Sequence, residues 1–118
     1  MAKHHGSCHC GAVQYDVEGL ELDKLITCNC SICGRTGAIM AFVGRPQISN
    51  LSGEGNLTDY QFGKKSIHHA FCKTCGVRAY GWGTGPDGKE TVVVNARCLD
   101  GVDVHELKIS HQYDGASL

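Results

Sequence analysis

Cys28-Asn29-Cys30-Ser31-Ile32-Cys33 places three thiols within six residues. Two clusters of the same kind flank it, Cys8-His9-Cys10 and Cys72-Lys73-Thr74-Cys75, and Cys98 completes a set of eight cysteines. A metal with sulfur ligands accounts for this clustering. Cys-x-Cys is a poor local disulfide, and eight cysteines allow 105 pairings with none preferred. Met1–Gly6 has no apolar signal core and no apolar run approaches a membrane span, so a reducing, cytoplasmic setting without membrane contact is expected.

A chain of 118 residues suits one domain, small enough to gain from a metal staple. Sixteen glycines against two prolines, with few aromatics, favour short strands joined by tight turns. Eleven Lys and Arg stand against twelve Asp and Glu. Such a balance lacks the basic face that drives nucleic-acid binding, so no nucleic-acid partner is expected.

Outward from the triplet, the pattern is that of a mainly β chain. Residues 1–6 read as a loose polar lead-in. Val13, Tyr15 and Val17 alternate with Gln14, Asp16 and Glu18, a strand with one wet face. Leu20–Thr27 is a link that can take a helical turn or a strand. Ala38–Val43 is apolar throughout and predicts a strand buried on both faces. Gln47–Leu51 forms another. Leu57–Phe62 and Ser66–Phe71 flank Gly63-Lys64-Lys65, a hairpin with a charged tip. Val77–Trp82 and Glu90–Ala96 follow, joined by a Pro86-Asp87-Gly88 loop. Val102–Tyr113 predicts a last edge strand, and Asp114–Leu118 a loose tail.

Cys72-x-x-Cys75-Gly76 is half of a structural zinc site. A two-residue turn brings positions i and i+3 together, and Gly76 permits the left-handed backbone that closes it. Cys8-x-Cys10-Gly11 is the natural second half, although i and i+2 lie ~6–7 Å apart on an extended strand and must be pinched by a bend. Cys28, Cys30 and Cys33 then remain without a partner. Structural zinc sites are closed and catalytic ones keep an open position, so three ligands point to a reactive metal. Cys98 is the alternative fourth ligand, which would make a second closed centre. His9, His68 and His69 are further candidates for that place. Zinc suits thiolate-rich tetrahedra best, with iron the alternative.

Gly6-Ser7-Cys8-His9-Cys10-Gly11-Ala12-Val13, Cys28-Asn29-Cys30-Ser31-Ile32-Cys33 and Phe71-Cys72-Lys73-Thr74-Cys75-Gly76 together resemble the glutathione-dependent formaldehyde-activating enzyme family, whose superfamily includes centromere protein V. The stretch Val94-Asn95-Ala96-Arg97-Cys98-Leu99-Asp100 is also similar to family members. The resemblance implies a single zinc-binding domain over residues 5–113 with a β-tent fold of mostly antiparallel strands. It implies two zinc ions per chain, one structural on Cys8, Cys10, Cys72 and Cys75, the other catalytic on Cys28, Cys30 and Cys33. It implies the joining of glutathione and formaldehyde into S-hydroxymethylglutathione, formally the reverse of a carbon–sulfur lyase step.

Glutathione's carboxylates would want cationic donors. Arg35, beside the triplet, is the first candidate and Arg97 the second. A non-catalytic zinc module or a glutathione carrier would carry the same ligands, and is the competing expectation. Four protein ligands at both metals would favour it.

Overall fold

A computed structural model describes residues 3–117 of the chain. Among these residues ten strands form two sheets. The first sheet contains β1 (Lys3–Ser7), β2 (Gln14–Glu18) and β5 (Ile48–Ser52), in that order. The second contains β3 (Leu25–Cys28), β4 (Met40–Gly44), β6 (Leu57–Tyr60), β7 (Ile67–Cys72), β8 (Tyr80–Thr84), β9 (Glu90–Asn95) and β10 (Ile109–Tyr113). Its order is β10-β3-β4-β9-β8-β7-β6. Among the described residues the one α-helix, α1, is a single turn at Cys33–Thr36.

The alternation read from the sequence explains how the sheets meet. Val13, Tyr15 and Val17 are fully buried and join Ala41, Val43, Val92 and Val94 in one core cluster. Tyr15 also satisfies its hydroxyl by donating to the Ala79 carbonyl at 3.0 Å and packs edge-on against Tyr80, 5.5 Å between ring centroids. A buried phenol with a partner and an aromatic neighbour locks one sheet onto the other.

Four expectations require correction. Residues 3–7 are not a loose lead-in: they pair with β2 in antiparallel register from Lys3↔Glu18 to Ser7↔Gln14. The polar side chains hid this strand, whose stability comes from its ladder. Ala38–Val43 is not buried on both faces, because Phe42 points outward and is 52% exposed. Of Val102–Tyr113 only the last five residues form a strand, the edge strand β10, which runs parallel to β3 in an otherwise antiparallel sheet. The residues after it are not a loose tail either. Gly115–Ser117 form a 3-10 turn set against the Cys triplet.

The hairpin of β6 and β7 matches its sequence reading, with Leu57 opposite Cys72 and Tyr60 opposite His69. Together the strands deliver the cysteines to two places. The β1–β2 and β7–β8 connections carry one set, and the end of β3 carries the other.

Candidate metal centres

The β1–β2 and β7–β8 connections fold alike. In one, the Cys8 amide donates to the Val13 carbonyl at 3.0 Å, and in the other the Cys72 amide donates to Val77 at 3.1 Å. Each turn is closed by a glycine donating back to the first cysteine, Gly11 to Cys8 and Gly76 to Cys72. Those glycines adopt φ of 82° and 78°, a conformation that side chains with a Cβ resist. This is the bend needed to pinch the i, i+2 pair together.

The two turns face each other. Sγ of Cys8 lies 3.7 Å from that of Cys10, and Cys10 Sγ lies 3.6 Å from Cys72 Sγ. All four sulfurs of Cys8, Cys10, Cys72 and Cys75 fall within 4.8 Å of one another. A tetrahedron with 2.3 Å arms has sulfur–sulfur edges of about 3.8 Å. The donor set therefore fits a zinc ion without rearrangement.

Local dipoles favour the thiolate form. The amides of Cys75 and Thr74 pull the Cys72 thiol down to about 6 against the cost of burial. Asn56 adds a side-chain N–H at 3.3 Å from the same sulfur. The amides of Val77 and Cys10 hold Cys75 below the ordinary thiol range.

The second cluster lies where β3 ends. Cys28, Cys30 and Cys33 also bring their sulfurs within 4.8 Å of one another, and all three are half-buried. Among the described residues no fourth Cys, His, Asp or Glu joins them. The Cys30 amide lies 3.4 Å from Cys28 Sγ and the Cys33 amide 3.5 Å from Cys30 Sγ. Burial opposes ionisation of Cys30, but the Cys33 amide and the neighbouring thiols outweigh it and lower its pKa. Burial pushes Cys33 up to about 12, with Cys30 adding to the shift. A bound cation is what would ionise all three.

The C-terminal segment completes this loop. The Asn29 side chain donates to Asp114 Oδ1 at 2.9 Å and accepts from the Ala116 amide at 2.9 Å. A Cβ on Gly115 would stand 2.8 Å from Cys28 Sγ and 2.9 Å from Cys30 Cβ, so only glycine fits between tail and thiols. Nothing in the sequence pairs Asn29 with residues some 85 positions later.

The other candidates sit elsewhere. Cys98 does not reach the triplet. Its thiol donates to the Arg78 carbonyl at 3.5 Å, and burial followed by Cys8 and Cys75 pushes it up to about 11. It flanks the closed cluster as a protonated thiol. Arg35 turns back along α1 to the Ser31 carbonyl at 2.7 Å, and Arg97 donates to the Gly37 carbonyl at 3.0 Å. His9 lies exposed in its turn. His68 is paired with Asp59 at 2.6 Å, and His69 accepts from Arg78 at 3.1 Å. All eight cysteines are free thiols.

A cavity of about 450 Å³ opens beside the triplet. Cys28, Cys30 and Cys33 form part of its wall, with His68, His69, Arg78 and a surround of apolar side chains. Arg78 is the residue that sequence reasoning passed over. It follows the β7–β8 turn, and no local motif marks it. A second cavity of about 360 Å³, walled by Arg45, Glu54, Trp82 and Glu90 among others, contains no cysteine. Among the described residues no helix is long and apolar enough to cross a membrane.

The family model described as glutathione-dependent formaldehyde-activating enzyme matches residues 3–113. Among solved structures, a Rhodobacter sphaeroides protein of known crystal structure is similar at 37% identity, with a TM-score of 0.79. That match covers 92% of this chain and 98% of the other.

Proposed function

Because the chain belongs to the glutathione-dependent formaldehyde-activating enzyme family, we propose that it makes and breaks a carbon–sulfur bond between a thiol and an aldehyde, with glutathione and formaldehyde as the reference pair. It is then a carbon–sulfur lyase by reaction class, working in a reducing cytoplasm where its thiols stay free. Cys8, Cys10, Cys72 and Cys75 hold a structural zinc, and Cys28, Cys30 and Cys33 hold a second one. The observation that carries this reading is the triplet: three sulfurs within 4.8 Å, no fourth protein ligand among the described residues, and a cavity at their side.

When bound there, zinc supplies a Lewis acid and an open position that favours the thiolate form of an incoming thiol. The chain's own residues do the rest. The Cys30 and Cys33 amides orient the sulfurs they approach. Asn29 anchors residues 114–116 beside the triplet, which fixes the loop. His69, lowered by burial and by Arg78, stays neutral at pH 7. Holding thiol and aldehyde together converts a bimolecular addition into an oriented one. Sulfur attacks the carbonyl carbon, a C–S bond forms, the C=O becomes C–OH, and the thiol proton ends on that oxygen.

The test is the exchange rate between glutathione, formaldehyde and their adduct, measured by NMR with and without the protein. Acceleration by the native chain and its loss in Cys30→Ser, with unchanged circular dichroism, are expected. Equal acceleration by both proteins would remove the triplet from the reaction.

A further inference from the structure

The cavity beside the triplet has walls that describe its occupant. Phe42, Phe62, Ile67 and Tyr113 line it and are 52, 43, 48 and 46% exposed. Among the described residues only Tyr60 is another large apolar side chain with comparable exposure. Exposed hydrocarbon is thus concentrated around one opening, as at a binding site for an apolar group. A cavity of about 450 Å³ is also far larger than formaldehyde needs.

Charge narrows the choice. No Asp or Glu lines the cavity, and Arg78 is its one guanidinium. Nη2 of Arg78 donates to His69 Nδ1, whereas Nε and Nη1 are buried without a partner. A buried cation needs a matching anion. Arg78 shares the cavity wall with Cys28, Cys30 and Cys33. Three thiolates around a divalent ion would leave one net negative charge, which Arg78 on the same wall would balance. An incoming thiolate restores a single negative charge. A carboxylate held inside would add another with no further guanidinium or ammonium in the lining, and of the lining imidazoles His68 is committed to Asp59 and His69 to Arg78, which leaves His111.

We propose that the thiol accepted at this site carries an apolar body, an alkyl or arylalkyl group seated against Phe42, Phe62 and Ile67, and that no carboxylate enters the cavity. This rests on the reading of Cys28, Cys30 and Cys33 as an open metal site. With zinc held by Cys28, Cys30 and Cys33, a bound thiol would lose its S–H proton to solvent, its sulfur keeping the electron pair as the donor those three cysteines leave wanting.

The experiment is calorimetric titration of the zinc-loaded protein, with zinc content measured on the same sample. The probes are propanethiol, butanethiol, pentanethiol, 3-mercaptopropionate and glutathione. Affinity should rise about fourfold per added methylene. 3-Mercaptopropionate should bind about tenfold more weakly than propanethiol, and pentanethiol should bind more tightly than glutathione. Phe42→Ser and Ile67→Ser, both at exposed positions, should flatten the alkyl series while zinc content stays at the native value. A flat series in the native protein, or glutathione binding as tightly as pentanethiol, would overturn the inference and leave the open site standing. Failure of every thiol to bind, or absence of the second zinc, would overturn both.

Discussion

Replacing Cys10 and Cys75 together by serine should cost far more stability than replacing Cys28 and Cys33. Cys10 is exposed and Cys75 half-buried, so little packing is lost in the first pair. What is lost is the tie between the β1–β2 and β7–β8 turns, whose touching sulfurs belong to residues 62 positions apart. Cross-linking a loop of that length removes roughly 14 cal/mol/K from the unfolded chain, about 4 kcal/mol at 25 °C. Unfolding entropy near 2.1 cal/mol/K per residue converts this, for a chain of this size, to a fall in Tm of roughly 17 °C. The triplet spans only residues 28–33. The same relation gives its short loop about 2 kcal/mol, a fall of roughly 8 °C. Differential scanning calorimetry of the zinc-loaded native protein and both double variants measures the two losses. An equal or larger loss from Cys28→Ser/Cys33→Ser would refute the assignment of the first cluster as the staple.

Further outcomes can be checked alongside. Gly115→Ala would press a methyl group onto Cys28 Sγ and Cys30 Cβ. It should displace residues 114–117 and lower retention of the second zinc under chelator challenge, with the first zinc unaffected. Arg78→Met removes the countercharge of the triplet. Zinc affinity there should fall about tenfold, roughly 1.4 kcal/mol, with partial recovery in Arg78→Lys, as competition with a chromophoric chelator would show. His5 and Asp16 form a pair at 2.8 Å. Asp16 is lowered from 3.8 by Asn50 and then His5, so its contribution is present above 3.8 and fades as pH falls through its folded value. His5 is raised from 6.5 by Asp16, so its contribution is full below 6.5 and fades as pH rises through its folded value. The urea midpoint of the native protein should therefore exceed that of Asp16→Asn most between about pH 4 and 6.5, with the gap narrowing on both sides.

The parts of the fold legible in the sequence are those governed by local pattern. Alternation in Gln14–Glu18 predicts a strand that exists, and the turn between Phe62 and Ser66 predicts the hairpin that β6 and β7 form. Thiol spacing pairs Cys8 and Cys10 with Cys72 and Cys75, because two tight turns ending in glycine can each supply half a tetrahedron, and the structure places those four sulfurs together. Elements defined by distant partners were not legible. Lys3–Ser7 is too polar to announce itself, and it is a strand because β2 offers a ladder and Gly6 leaves room for the Tyr15 ring. β10 pairs in parallel with β3 across more than eighty residues, and the contact of Gly115 with Cys28 follows from that pairing. Nearness in sequence favours Arg35, but α1 turns it back to its own loop, while Arg78 reaches the cavity from the β7–β8 connection. Cys98 completes the count of eight, yet the short turn after β9 sets it against Arg78's carbonyl.

The open position at Cys28, Cys30 and Cys33 is tested most directly by cadmium-113 NMR of the metal-exchanged protein. Two resonances are expected, one at the shift of an all-sulfur site and one displaced from it by a missing sulfur. Added thiol should move the second to the all-sulfur position and leave the first in place. Two all-sulfur resonances before thiol is added, neither of them moving afterwards, would show that the protein itself closes both sites.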